Sequence, residues 1–334
     1  MVNVSLSMEK IREDIQLPII DLLSSKSNRS ETSKQIVKAC EEYGFFKVIN
    51  HGVPQEIIRQ MEEEAHKFFS KPVSEKQRAG PANPYGYGCK NIGLKGDVGE
   101  VEYLLLQTNP HFITSLLHNS NRYISQDTNN FRCAVIGYVE AVRELACEVL
   151  DLIGEGLGGA YPPSLFTRLI REVESDCVLR LNHYPAPAPA ASDACNKIGF
   201  GEHTDPQMLT LLRSNGVEGL QISLEEGVWV PVNPHPESAF CVNVGDVLKV
   251  MTNERFVSVK HRVVVKSYKA RTSMAYFAAP PLDAKITSHS QSPIYRSFTW
   301  GEYKKATYTC RLGDVTARLN HFKIMPPPPP LQED

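Results

Sequence analysis

From Cys177 onward the chain breaks into short β runs: VLRLNHY, MLTLLRS, GLQIS, VWVPV, AFCVNVG, VSVKHRVVV and TSMAYFAA, separated by glycine, proline and asparagine. Many short strands so closely punctuated point to a sandwich or barrel. The same stretch carries side chains that can hold a metal. His203 and Asp205 lie two residues apart, so on an extended segment they point the same way. His261 follows after 55 intervening residues, on another strand. Two histidines and a carboxylate on one face leave adjacent coordination positions open, which suits iron(II) that must take a co-substrate and oxygen together.

An HxD pair alone is a weak signal among ten histidines. The residues after His261 strengthen it. Arg271 offers a planar donor fork for the far carboxylate of a dicarboxylic keto acid, and the Ser273 hydroxyl adds a donor on the same side of the strand. The plainer reading makes Arg271 a surface residue and His261 a core histidine, and it leaves the combination unexplained.

The resemblance rests on this constellation, on NHYP at Asn182 to Pro185, on LPIIDL at Leu17 to Leu22 and on EEYGFFKVINHGVP at Glu41 to Pro54. With these the chain resembles the plant branch of the iron(II)/2-oxoglutarate-dependent dioxygenases over nearly its whole length. The resemblance implies a double-stranded β-helix (jelly-roll) core, mainly β with flanking helices and a helical N-terminal region. It implies Fe(II) on His203, Asp205 and His261. It also implies 2-oxoglutarate held by Arg271, Ser273 and Tyr184 with Asn182 nearby, O2 as oxidant, and ascorbate as a reductant. More narrowly, GYGCKNIGLKGDVGEVEYLLL (Gly86 to Leu106) and LTLLRSNGVEGLQI (Leu209 to Ile222) resemble the gibberellin 2-oxidases, which hydroxylate and inactivate gibberellins. A substrate of that kind is apolar and carries a carboxylate, so Tyr103 and Arg213 are candidate contacts. Two departures bear on activity. Glu254 stands where relatives usually carry glycine, and Glu100 where they often carry an aromatic residue. The alternatives are another plant metabolite such as a flavonoid or another gibberellin position, a hydrolytic zinc enzyme, and a catalytically silent binding module on the same barrel.

Bulk properties agree with a small ligand. The 334-residue chain is 42% hydrophobic and 22% charged with formal net charge −2, so no global field draws it to nucleic acid or an anionic membrane. Eight cysteines are scattered without CxxC pairing and read mostly as small core residues of an intracellular protein. The N-terminal MVNVSLSMEKIRED carries charges where a signal peptide needs an apolar run, and no stretch of about eighteen apolar residues exists. A soluble cytoplasmic protein is expected.

Residues 1–110 read as a helix-rich region packed on the core, 111–324 as the jelly-roll core with backing helices, and 325–334 as a disordered proline-rich tail. Apolar spacing predicts helices over Ser33 to Tyr43, Gln55 to Ser70, Asn129 to Gly158 and Ser164 to Val173. The glycine-rich Gly80 to Gly99 reads as a loop near a binding site, with Tyr85, Tyr87 and Tyr103 facing a cavity or the core. His51 and His66 read as structural. Cys195, in the exposed PAPAPAASDACN, reads by default as an unpaired thiol, with a link between subunits of a homo-oligomer as the alternative.

Overall fold

The computed structural model describes residues 10–13, 15–92, 96–109, 128–162, 164–186, 197–236, 238–265 and 269–324. Cys195 and the expected disordered tail lie outside the described residues.

The N-terminal part comprises β1 (Lys10–Ile11), β2 (Ile19–Asp21), α1 (Arg29–Glu42), β3 (Phe45–Ile49), α2 (Gln55–Phe69), α3 (Val73–Lys76), β4 (Gly86–Ile92) and β5 (Asp97–Gln107). The long α4 (Thr128–Gly156) and α5 (Leu165–Arg171) follow. Then come β6 (Val178–Tyr184), β7 (Lys197–His203), β8 (Leu209–Ser214), β9 (Leu220–Glu225), β10 (Val228–Pro231) and β11 (Phe240–Val244). The chain ends with α6 (Asp246–Met251), β12 (Lys260–Val265), β13 (Arg271–Ala278), β14 (Lys285–Ile286), β15 (Phe298–Thr299), α7 (Trp300–Thr309) and α8 (Val315–Asn320).

Two facing sheets form the jelly roll. The larger runs β2-β3-β11-β8-β13-β6-β5-β4, the smaller β1-β10-β9-β12-β7. N-terminal strands are thus woven into the same sheet as the core strands. Strand alternation divides the large sheet into two faces. Leu179, Leu181, Leu211, Met274 and Tyr276 share one buried apolar cluster with Tyr138, Val142 and Ile153 of α4. The opposite face, with Tyr103, Tyr184 and Phe45, joins Phe200, Ile222 and Val263 of the smaller sheet in a second cluster. A fully buried aliphatic side chain contributes about 1.5–3 kcal/mol, so the α4 stripe anchors the back of the sheet while the front stays available for a ligand.

The Gly80 to Gly99 segment corrects an expectation. Much of it is the β4–β5 pair rather than loop, because two of its glycines serve close packing. A Cβ on Gly88 would sit 2.3 Å from the Tyr103 ring, and one on Gly99 would sit 2.2 Å from the Gly199 carbonyl oxygen on β7. The second contact is where the two sheets approach each other.

On the outer face of β5, Glu102 accepts hydrogen bonds from Lys76 (2.6 Å), Tyr87 (2.6 Å) and His183 Nδ1 (2.7 Å). Burial alone would raise the Glu102 pKa; the bonds from His183, Lys76 and Tyr87 outweigh it and hold the carboxyl at about 2. An unperturbed glutamate titrates near 4.5, so this group's stabilisation is complete above that pH and is lost as pH falls toward 2. Glu102→Gln should lower stability at neutral pH and flatten the acid side of the stability profile in denaturant titrations. An unchanged acid slope would contradict this account.

Candidate metal and co-substrate site

The two sheets enclose a cavity of about 460 Å³, within the size range of small-molecule sites. His203, at the end of β7, and His261, on β12, are register partners on adjacent strands. Asp205 lies two residues beyond His203, in the turn that leaves β7. Ligand atoms of the three all lie within 4.8 Å of one another, and each histidine Nε2 is 3.6 Å from Asp205 Oδ1.

The orientation of each side chain is set from behind. His203 Nδ1 bonds the Gly201 carbonyl at 2.8 Å and His261 Nδ1 the Val259 carbonyl at 3.2 Å. A carbonyl can only accept, so each Nδ1 carries a proton and each Nε2 is turned toward the common point. Asp205 Oδ2 accepts from Thr210 Oγ1 at 2.6 Å and Asn243 Nδ2 at 2.8 Å, which leaves Oδ1 toward the histidines. Burial pushes His203 down to about 3, and neighbouring His261 acts in the same direction, so its imidazole is neutral at neutral pH. For Asp205 burial acts upward, but the two imidazoles and the bonds from Asn243 and Thr210 hold it below the usual carboxylate range. Neutral imidazoles and an ionised carboxylate are the protonation states that a metal needs.

Beside this trio stands a cationic clamp. Arg271 and Tyr184 are register partners, as are Ser273 and Asn182 on the same pair of strands, β13 and β6. Asn182 Nδ2 donates to Ser273 Oγ at 3.4 Å, and the Arg271 guanidinium lies 5.3 Å from the Tyr184 ring. Arg271 is 5% exposed, and its Nε and Nη1 have no hydrogen-bond partner among the described residues. A buried cation with unmatched donors is costly unless an anion meets it. The donor set therefore fits both groups: a metal on two imidazoles and a carboxylate oxygen, and a dicarboxylate reaching from that metal to Arg271.

Sequence reading missed Arg180. It faces the cavity from β6, stacked over Tyr103 (4.1 Å) and near Phe200 (4.7 Å). Its Nε donates to Asn182 Oδ1 at 2.7 Å, while Nη2 is buried without a partner among the described residues. Its signal was an arginine at an inward position of the β run ending in Asn182 and Tyr184. Tyr103 lines the cavity as expected, with its hydroxyl on the Asn91 carbonyl at 2.8 Å. Tyr85 also lines it, whereas Tyr87 turns away to Glu102.

Arg213 requires a correction. It is neither a cavity residue nor a solvated strand end. Thr210 and Leu212 of β8 face the cavity, so alternation sends Arg213 to the other face. There it is 5% exposed and pairs with Glu62 at 3.2 Å. Glu100 lies outside the cavity lining, 3.9 Å from Lys90. Glu254 does adopt the left-handed conformation expected of a glycine position, at φ 63°, which costs about 1–2 kcal/mol. Its carboxylate is bonded by Tyr295 and approached by Lys249 (3.8 Å) and Lys323 (3.5 Å), none of which lines the cavity. His51 is structural: Nε2 bonds the Ser238 carbonyl at 2.8 Å and Nδ1 accepts from Val53 N–H.

Helix α7 closes one side of the cavity. Its start is fixed by a capping box between Thr299 and Glu302, which places Lys304, Thr307 and Tyr308 on the cavity wall. Lys304 pairs with Asp176 at 2.7 Å, and Trp300 Nε1 donates to the same carboxylate at 2.7 Å. Lys304 is therefore already neutralised.

Comparison with known proteins agrees with this geometry. Residues 175–280 match the family model described as the 2OG-Fe(II) oxygenase superfamily, and residues 17–109 match the model described as the N-terminal region of non-haem dioxygenase in morphine synthesis. Gibberellin 2-beta-dioxygenase 4 of Arabidopsis thaliana is 50% identical over 333 residues, covering 95% of this chain and 98% of that protein. Gibberellin 2-beta-dioxygenase 1 of Pisum sativum is 49% identical, covering 92% and 90%. Among solved structures, JOX2 in complex with 2OG, Fe and JA superposes with a TM-score of 0.78 at 28% identity, covering 96% of this chain and 92% of that one.

Arg271→Ala should raise the KM for 2-oxoglutarate roughly 10- to 150-fold, the loss expected for charge-assisted hydrogen bonds worth about 1.5–3 kcal/mol. The saturated kcat should move less. An unchanged KM in steady-state assays would remove Arg271 from the clamp.

Proposed function

We infer the reaction from one premise: this chain belongs to the 2OG-Fe(II) oxygenase superfamily. Its function is 2-beta-hydroxylation of gibberellins, which inactivates the hormone and yields succinate and CO2. The observation that carries the substrate is identity of 43–50% to curated gibberellin 2-beta-dioxygenases over about nine-tenths of the chain. No observation favours a silent barrel, since Glu100 and Glu254 both lie off the cavity.

With iron(II) and 2-oxoglutarate bound, the centre supplies an oxidant able to replace an unactivated C–H hydrogen by hydroxyl, at the expense of O2 and the keto acid. The protein's own residues bind and orient. His203, Asp205 and His261 would hold the metal. Arg271 takes the far carboxylate of 2-oxoglutarate, with Ser273 and Tyr184 beside it. This grip fixes the keto acid by its remote end and directs its other end toward the metal. Phe45, Phe200, Leu212, Leu220 and Val263 line the cavity with apolar surface, which excludes water and suits a hydrocarbon ring system. Arg180 is the proposed anchor for the substrate carboxylate. After 2-oxoglutarate engages Arg271 and Asp176 neutralises Lys304, Arg180 and Arg318 remain cavity-facing cations with no carboxylate partner among the described residues. Arg318 donates to the Arg311 and Leu312 carbonyls, and Arg180, stacked on Tyr103, is the one proposed as the anchor. Tyr103, beneath its guanidinium, would meet the adjoining ring carbons.

Among the described residues no helix is long and apolar enough to cross a membrane. The proposed location is the cytoplasm, supported by seven described cysteines that are all free thiols. In that compartment Cys195 is expected as an unpaired thiol; an elution profile that changes on adding reductant would instead mark a link between subunits.

The test is anaerobic reconstitution with iron(II) and 2-oxoglutarate, followed by oxygen and a gibberellin mixture, read by mass spectrometry. A product heavier by one oxygen, with stoichiometric succinate, is expected. Succinate without hydroxylated gibberellin would discard the hormone and keep the chemistry. In the same assay Arg180→Ala should raise the gibberellin KM roughly 10- to 150-fold while sparing the KM for 2-oxoglutarate.

A further inference from the structure

The segments bearing the three candidate ligands meet at one further buried group. Asp246, the first residue of α6, is 1% exposed. Its Oδ2 accepts from Thr204 Oγ1 at 3.0 Å and Tyr303 Oη at 2.6 Å, and its Oδ1 from Ser258 Oγ at 2.7 Å. Its backbone N–H donates to the Asp205 carbonyl at 2.8 Å. Thr204 is the residue between His203 and Asp205. Ser258 precedes Val259, whose carbonyl orients His261. Tyr303 belongs to α7 and is followed by Lys304 on the cavity wall. One carboxylate therefore contacts the turn carrying two ligands, the approach to the third and the helix that closes the cavity.

The backbone around it leaves little freedom. Gly245 N–H donates to the Met208 carbonyl at 2.9 Å, and Val247 N–H to that of Gln207 at 3.2 Å. A Cβ on Gly245 would lie 2.0 Å from the Gln207 carbonyl oxygen and 3.1 Å from that of Asp205. The 205–208 turn thus rests directly on the start of α6. Groups that orient ligands without touching the metal set its affinity by limiting which ligand geometries are reachable.

We propose that Asp246 is the positioning residue of the metal centre: its carboxylate locks the His203–Asp205 turn and the approach to His261 into one arrangement and joins both to α7. It touches neither substrate nor metal and acts through Thr204, Ser258 and Tyr303. The inference rests on the reading of His203, Asp205 and His261 as metal ligands.

The experiment is anaerobic titration of the full-length protein with Co(II), read by its visible absorption, alongside thermal melts. Asp246→Asn and Thr204→Val should bind Co(II) roughly 10- to 100-fold more weakly than wild type, with an altered band envelope and a cooperative melt retained. Thr204→Ser, which keeps the hydroxyl, should restore the wild-type affinity and spectrum. Wild-type affinity and spectrum in folded variants would overturn the role of Asp246. Should Asp246→Asn fail to fold, the Thr204→Val and Thr204→Ser pair decides in the same way. A wild-type protein that takes up no Co(II) would overturn the ligand assignment itself, a separable failure.

Discussion

Asp205 divides its two carboxylate oxygens between the fold and the cavity, and the rest of the site depends on that division. Oδ2 is held by Thr210 on β8 and Asn243 on β11, both in the large sheet. Oδ1 points at the two imidazoles, which stand on β7 and β12 of the smaller sheet. The carboxylate thus bridges the two halves of the jelly roll at the place where a metal would sit. Its partners are strand residues and its neighbours' partners are backbone carbonyls, so ligand geometry is inherited from the sheets. Rigid elements hold such constellations more accurately than loops do.

A second constraint is charge. The cavity wall is largely apolar, yet Arg271 and Arg180 are buried in it without carboxylate partners among the described residues. Arg318, also buried on the wall, meets only the Arg311 and Leu312 carbonyls among those residues, whereas Lys76, Arg213 and Lys304 are matched by Glu102, Glu62 and Asp176. Desolvating an unmatched guanidinium is unfavourable, so Arg271, Arg180 and Arg318, each with a buried donor lacking a partner among the described residues, are the candidate positions for anionic ligands. Arg271 is the proposed position for the co-substrate and Arg180 for a substrate carboxylate. The cavity therefore reads as a site for two carboxylate-bearing molecules at one metal.

Much of this was legible in the sequence. Strand runs from Val178 to Ala278 show the period-two pattern of a half-buried sheet, and the α4 stripe from Phe131 to Ile153 shows the helical one. The ligand spacing carried its own chemistry. The illegible parts share a physical origin in packing between segments distant in sequence. Gly88 and Gly99 looked like loop residues because the Tyr103 ring and the Gly199 backbone that require them are remote. Arg213 was chosen for its charge, whereas strand alternation, which sends it to the far face, would have placed Arg180 inside. Asp246 carries no local sequence signal of its role, since the hydroxyls that converge on it come from Thr204, Ser258 and Tyr303. Glu254 broke the glycine rule, and its compensation by Tyr295, Lys249 and Lys323 is tertiary.

The central claim is that one molecule of 2-oxoglutarate spans from a metal on His203, Asp205 and His261 to Arg271. Anaerobic calorimetry of 2-oxoglutarate binding, with metal-free protein and with protein loaded with Mn(II), tests it most directly. The account predicts much tighter binding when the metal is present, because half of the contact is then a chelate. Equal affinity in the two states would show that the keto acid does not touch the metal, and would contradict the account.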